Sequence, residues 1–202
     1  MERRQATSEQ TRARIVAAAR DLIATGTGAF SIDAVAERAG TARMTVYYQF
    51  GSKLGLLEAL FDDLGGRHFK SQLPRVMSQP EPLEALDELV DVFCHFWTSD
   101  RIVIRRIRGM GVLDPDFEEG LRARDERRRQ LLRTVLGRIA EEYGKPSEQS
   151  FDETVDVLYA LTKFETFDSL AGDTRGPEEV AALVHRVARL VIGIGDSPSD
   201  GR

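Results

Sequence analysis

Arg43, Met44, Thr45, Tyr47 and Tyr48 crowd into one short stretch of helical periodicity, from Ala42 to Phe50. Ala42, Val46 and Phe50, spaced i, i+4, i+8, are expected to face inward. At about 100° per residue, Met44 and Tyr48 then point away from the core, with Thr45 and Tyr47 on the flanks. Arg43, near the start of this helix, is long enough to reach outward. Such a face is poorly suited to bare solvent and well suited to a DNA major groove: a guanidinium forks onto guanine and apolar groups meet thymine methyls. Phenolic hydroxyls and helix N-termini donate to phosphates.

The preceding segment has to position that face. Ser31 is a plausible N-cap, Asp33 suits the positive end of the helix dipole, and Ile32, Val35, Ala36 and Ala39 form an inner stripe. Gly40-Thr41-Ala42 then supplies a sharp turn, with Thr41 expected to cap the next helix, and small Ala36 and Ala39 allow close approach. Two short helices joined this way have the layout of a helix-turn-helix.

Other reactive residues do not assemble. Cys94 is alone, which excludes an intramolecular disulfide or a multi-cysteine zinc site, and His68, His95 and His185 lack metal-ligand spacing. His68, His95 and Cys94 are expected in core or surface roles. Gly109-Met110-Gly111 and Gly193-Ile194-Gly195 are GxG fragments that follow no strand, so they do not make a dinucleotide site. With no Ser-His-Asp grouping, the chain is not expected to be an enzyme, and neither a cofactor nor a metal is expected.

The chain has 202 residues, 42% hydrophobic and 30% charged, which bounds it to one or two globular domains. Its net charge of -5 is unevenly spread. Residues 1–53 hold eight basic and five acidic side chains (8 − 5 = +3), the remainder twenty and twenty-eight (20 − 28 = −8). A basic head on an acidic chain points to a polyanion partner at that end. A charged N-terminus without an apolar signal core, and no run approaching the roughly 18 apolar residues of a membrane span, predict a cytoplasmic protein with no membrane partner.

Helical periodicity runs almost throughout, and about nine helices are expected in an all-α fold. The first opens at a Thr7-Ser8-Glu9-Gln10 capping box and carries Ile15, Val16, Ala19, Leu22 and Ile23 inward. Gly51 closes the third, and Ser52 caps a fourth bearing Leu54, Leu57, Leu60, Phe61 and Leu64. Pro74, Pro80 and Pro82 mark a break. A surrounded helix from Leu83 to Trp97, one capped by Asp100, and a long charged one from Asp116 to Tyr143 follow. Lys145-Pro146-Ser147 is a further break before two last helices, Phe151–Leu170 and Pro177–Ile194, and the tail 195–202 is expected to be disordered.

Phe30-Ser31-Ile32-Asp33-Ala34-Val35-Ala36-Glu37-Arg38-Ala39-Gly40, followed by Thr45-Val46-Tyr47-Tyr48-Gln49-Phe50-Gly51-Ser52-Lys53, resembles the DNA-binding signature of the TetR family of bacterial transcriptional regulators. The resemblance covers about Thr11 to Leu60; Leu54-Gly55 departs from it where the family usually has acidic residues. It implies a helix-turn-helix DNA-binding domain at 7–53 and a larger helical effector-binding and dimerisation domain at 54–194. It also implies that Ser31, Tyr47 and Lys53 bind phosphates while Arg43, Met44 and Tyr48 approach base edges, Thr41 and Thr45 completing the DNA-contacting set. The implied partners are an inverted-repeat operator in double-stranded DNA, a small-molecule effector that releases a repressor, and a second copy docked through the last two helices.

The apolar stripe Val180, Leu183, Val184, Val187, Leu190, Val191 and Ile194 is broad enough for such an interface, and the preceding helix is apolar on more than one side. Phe61, Leu64, Phe93, Trp97, Met110, Tyr159, Phe164 and Phe167 are aromatic or flexible enough to line an effector pocket, and each also suits plain core. Arg127-Arg128-Arg129, with Asp125 and Arg129 an i, i+4 pair, reads as a solvated face, while Arg105, Arg106 and Arg108 are expected to pair with acidic helices. Gly65-Gly66 weakens the fourth helix and suggests a hinge. The competing readings are a helical-bundle enzyme and a non-specific DNA-binding protein; the acidic remainder argues against the second.

Overall fold

A computed structural model of the chain describes residues 2–26, 30–144 and 148–193. Among the described residues there are ten helices and no strand. They are α1 (Glu2–Thr25), α2 (Ile32–Arg38), α3 (Arg43–Phe50), α4 (Lys53–Ser78), α5 (Pro82–Ser99), α6 (Arg101–Leu113), α7 (Pro115–Tyr143), α8 (Glu148–Leu161), α9 (Phe164–Ala171) and α10 (Pro177–Ile192). The expected tail 195–202, Ile194 and the break at 145–147 lie outside the described residues. None of the described helices is long and apolar enough to cross a membrane.

The chain divides into two compact units, one of residues 1–67 and 100–122, the other of residues 68–99 and 123–202. In the first, α1 packs on α2 and α6, and α2 on α3, burying Ile15, Ala19, Val35, Val46, Leu60 and Ile107. Arg20 pairs with Asp100 at 2.5 Å. Arg106 does not seek an acidic helix: its Nη1 donates to the carbonyls of Ile23 and Ala24 at 2.5 and 2.7 Å. It thus places a cation on the negative end of α1, where the last carbonyls have no partner within the helix.

Outside α3, three element boundaries differ substantially from the sequence expectation. Helix α1 starts at Glu2 rather than at a Thr7 cap, because the strong helix formers before Thr7 extend it; the Thr7 carbonyl accepts instead from Thr11 Oγ1 at 2.9 Å. Helix α4 runs on through Gly65-Gly66 and Pro74 to Ser78. A proline removes only one hydrogen bond from such a helix, and the last turn is anchored by buried Val76.

The third difference is that the expected helix from Phe151 to Leu170 is two helices, α8 and α9. At the junction the Thr162 carbonyl accepts from Trp97 Nε1 at 3.0 Å and from Arg128 Nη1 at 2.5 Å. The Thr162 hydroxyl bonds back to Leu158 O at 2.9 Å, and Lys163 turns extended, with ψ 153°. Donors from distant residues and a back-bonding threonine thus interrupt a segment whose local pattern is continuously helical.

In the second unit α5 is buried on several sides, as its apolar pattern predicts, through Leu86, Leu89, Val90, Phe93, Phe96 and Trp97. Helix α10 lies along it, burying Val180, Ala181, Val184 and Ala188. Helix α7 is tied down near its end by Arg138, which donates to the Gln79 and Pro80 carbonyls, and by Tyr143, whose hydroxyl donates to Glu81 at 2.9 Å.

Candidate nucleic-acid interface

The outer face of α3 is held by a turn and two caps. Ser31 Oγ accepts from Ala34 N at 3.2 Å and starts α2, as its residue type predicts. Gly40, at φ 60°, allows the chain to reverse, and Thr41 N donates to Ala36 O at 2.9 Å to close the turn. Helix α3 begins one residue later than expected. Its N-cap is Ala42, not Thr41, with no side-chain cap bond. Ala42 consequently stays exposed instead of facing inward, Phe50 is half-buried, and Val46 alone of the expected inner trio is fully buried.

The far end of α3 is held twice. Gly51 N donates to Tyr47 O at 2.8 Å, and Ser52 Oγ accepts from Gly55 N at 2.9 Å to cap α4. A Cβ on Gly55 would stand 2.2 Å from the Phe50 carbonyl oxygen, so a side chain here would require the backbone to shift. Helix α1 contributes a clamp that sequence reasoning missed. Arg12 Nη1 donates to Gln49 O at 2.7 Å and its guanidinium covers the Phe50 ring at 4.4 Å, while Gln49 Nε2 donates to Ser8 Oγ at 3.0 Å. These partners are about forty residues apart in the chain, with no local pattern to announce them.

On the outer face of α3, Met44 is 72% and Tyr48 87% exposed, as the periodicity predicts, and Thr45 and Tyr47 are half-buried on the flanks. Arg43 is exposed and held by two groups: Nη1 donates to the Asp33 carboxylate at 2.9 and 3.1 Å, and Nη2 to Tyr47 OH at 3.3 Å. The Tyr47 hydrogen bond, followed by the Asp33 charge, pushes the guanidinium pKa further up. Lys53, at the start of α4, sets its Nζ 5.7 Å from the Phe30 ring centre. Thr41 and Ser31 are half-buried at the turn and the α2 start.

The residues singled out for an effector divide between the units. Phe61, Leu64 and Met110 belong to the first, and Phe93, Trp97, Tyr159, Phe164 and Phe167 to the second. In the second, Trp97 meets Phe164 edge-on at 5.6 Å. Arg128, expected on a solvated face, is instead only 5% exposed. Its guanidinium lies 4.6 Å from the Tyr159 ring centre and 5.9 Å from those of Phe93 and Trp97. Asp125 stands 3.5 Å from Nη2, and Arg129 pairs with Asp156 rather than with Asp125. Burial, then the Asp91 charge, pushes the Cys94 thiol up to about 12, so it stays protonated in the core. His95 Nε2 lies 3.3 Å from Glu178. Among the described residues, no three His, Cys, Asp or Glu side chains come together to hold a metal ion.

A basic, two-cap helix-turn-helix on a larger all-helical chain defines a fold class shared with bacterial regulators. Residues 15–60 match the profile of bacterial regulatory proteins of the tetR family. The whole chain has the TetR-family fold. A protein from Rhodococcus sp. assigned as a TetR-family transcriptional regulator superposes with a TM-score of 0.73 at 17% identity, over 91% of this chain and 99% of that one. The fatty acid degradation regulator FadR from Bacillus halodurans gives 0.69 at 19% identity, over 92% and 96%. A protein from Saccharomonospora viridis assigned as a transcriptional regulator, solved in complex with choline, gives 0.66 at 21% identity, over 88% and 95%. Curated proteins provide no match.

Proposed function

We propose that this chain is a sequence-specific DNA-binding transcriptional regulator, a cytoplasmic homodimeric repressor that leaves its operator when a small-molecule effector binds. The observation that carries the reading is the outer face of α3, where Arg43, Met44 and Tyr48 are all exposed on the second helix of a helix-turn-helix. Residues 7–53 read DNA; residues 54–194 bind the effector and the second copy. Phosphate contacts from Ser31, Thr41, Tyr47 and Lys53 set register, while Arg43, Met44, Thr45 and Tyr48 reach base edges. The chain carries out no catalysis and uses no cofactor.

Dimerisation uses α8 and α10. Each buries one side within its own unit and leaves apolar side chains outside: Val157 on α8, and Val187 and Leu190 on α10, the last 75% exposed. Two α3 helices about 34–36 Å apart would enter successive major grooves of an inverted repeat. For the effector, the aromatic residues Phe93, Trp97, Tyr159, Phe164 and Phe167 of the second unit offer an apolar lining. That the Saccharomonospora viridis protein of the same fold holds choline supports a small molecule as the class. An effector favouring one arrangement of the chain weakens DNA binding by shifting populations. Gly65-Gly66 is the proposed hinge. A Cβ on Gly66 meets open space, so an alanine there stiffens α4 without a clash. Replacing both glycines with alanine should blunt effector-driven release.

The test is selection of bound genomic fragments by the purified chain at moderate salt, followed by footprinting. A recurring inverted repeat is expected. Selection of random fragments would overturn sequence-specific regulation in favour of non-specific binding. Tyr47→Phe and Lys53→Ala should weaken binding to all duplexes and flatten its salt dependence, whereas Arg43→Ala should relax preference at particular base pairs.

A further inference from the structure

Asp33 has a second task besides its place at the start of α2. The turn at Gly40 brings its carboxylate to Arg43, ten residues on, where both oxygens accept from Nη1 at 2.9 and 3.1 Å. The other terminal nitrogen, Nη2, donates to Tyr47 OH at 3.3 Å, and the guanidinium carbon lies 5.5 Å from the Tyr47 ring centre. One group from α2 and one from α3 therefore fix the plane of a side chain that would otherwise sample many rotamers. The pair is open to solvent, with side-chain exposures of 56% for Arg43 and 65% for Asp33, so it is weak and exchangeable.

We infer that Asp33 is a specificity-determining residue of the reading face: it aims Arg43 at a base edge and opposes binding to DNA that offers Arg43 only phosphate. This rests on the proposal that α3 reads DNA. The physical argument has two parts. An arginine held by two partners loses less freedom on forking onto a base, so the correct sequence gains. A carboxylate beside the only cation on the outer face of α3 cancels part of its attraction for phosphates and repels them itself, so all incorrect sequences lose. Specific recognition commonly uses such a repulsive element alongside the attractive one.

The test measures full-length chain against the footprinted fragment and a scrambled duplex of equal length, across a salt series. Asp33→Asn should bind the scrambled duplex about threefold more tightly, steepen the salt slope by up to about one unit, and lower the specific-to-scrambled ratio about tenfold. In an Arg43→Ala background the same substitution should leave that ratio unchanged, because the residue through which Asp33 acts is gone. A parallel change on both duplexes, no change, or an equal loss of ratio in the Arg43→Ala background overturns the inference and leaves Asp33 as a helix-start residue. The outcomes separate from those of the underlying reading. If the unsubstituted chain shows no salt-dependent duplex binding, DNA reading itself fails. If it binds and Lys53→Ala weakens it while Asp33→Asn is neutral, only the role of Asp33 fails.

Discussion

Arg43 and Arg128 meet the same kinds of partner in opposite surroundings. Each guanidinium meets one carboxylate and at least one aromatic ring: Asp33 and Tyr47 for the first, Asp125 with Tyr159, Phe93 and Trp97 for the second. Arg43 stands in solvent on α3, where its partners can be exchanged for another anion or acceptor at little cost. Arg128 is removed from water and also donates to the Thr162 carbonyl, fixing the junction of α8 and α9. What separates an exchangeable arginine from a structural one is thus the surrounding dielectric and the number of backbone groups that depend on it, not the residue type or its charged neighbours.

That contrast is broken most directly by truncating each side chain. Removing one partner of a buried ion pair costs about 3–5 kcal/mol, and Arg128→Ala also leaves the Thr162 carbonyl to Trp97 alone. At roughly 2–4 °C per kcal/mol for a domain of this size, the melting temperature should fall by about 6–20 °C. Arg43→Ala should melt with the unsubstituted chain and change only its DNA preference. Equal melting of both variants, followed by circular dichroism, would show that Arg128 is no more structural than Arg43.

The sequence made the first arginine legible and hid the second for a physical reason. The outer face of α3, its turn at Gly40 and the Ser52 cap are local, so spacing alone orients Met44 and Tyr48. Arg128 sits among acidic and basic neighbours that look solvated, and the residues that bury it, Phe93, Trp97, Tyr159 and Thr162, lie some thirty positions away in either direction. The same distance effect hid the break after Leu161 and the Arg12 and Arg106 clamps. It also hid Asp33, whose dipole role was readable but whose bond to Arg43 exists only once the turn has formed. The continuation of α4 past Pro74 is different in kind: propensity marks a break, and burial of Val76 overrides it.

A second comparison sharpens the roles of the two exposed apolar faces. Tyr48 is exposed on a helix that also carries exposed Arg43 and half-buried Thr45 and Gln49, whereas Leu190 on α10 is exposed with Val187 on the same helix. The first should serve nucleic acid, the second another apolar surface. Leu190→Glu is expected to convert a dimer to a monomer by light scattering after size exclusion, with helicity retained and affinity for the inverted repeat reduced. Tyr48→Ala should leave the dimer intact and alter only DNA binding. If Leu190→Glu remains dimeric, the face on α10 is not the interface.

The smallest effect lies in a charged cluster of the second unit. His185 Nε2 is 3.2 Å from Asp91 Oδ1 and 3.1 Å from the Asp87 carbonyl, and Arg189 pairs with the Asp87 carboxylate. Burial pushes the imidazole pKa down, but the Asp91 hydrogen bond and the charges of Asp87 and Asp91 outweigh it, and the net direction is up. A group whose folded value is raised stabilises fully below its unfolded value, about 6.5, and loses that contribution as pH climbs through the folded one. The packing of α10 on α5 should therefore weaken slightly as pH rises from about 6 to 8, and His185→Gln should remove that part of the slope. Parallel melting profiles over this range would mean that His185 keeps the same charge folded and unfolded. The cluster would then hold α5 and α10 together by hydrogen bonding alone, a role closer to that of Arg128 than of Arg43.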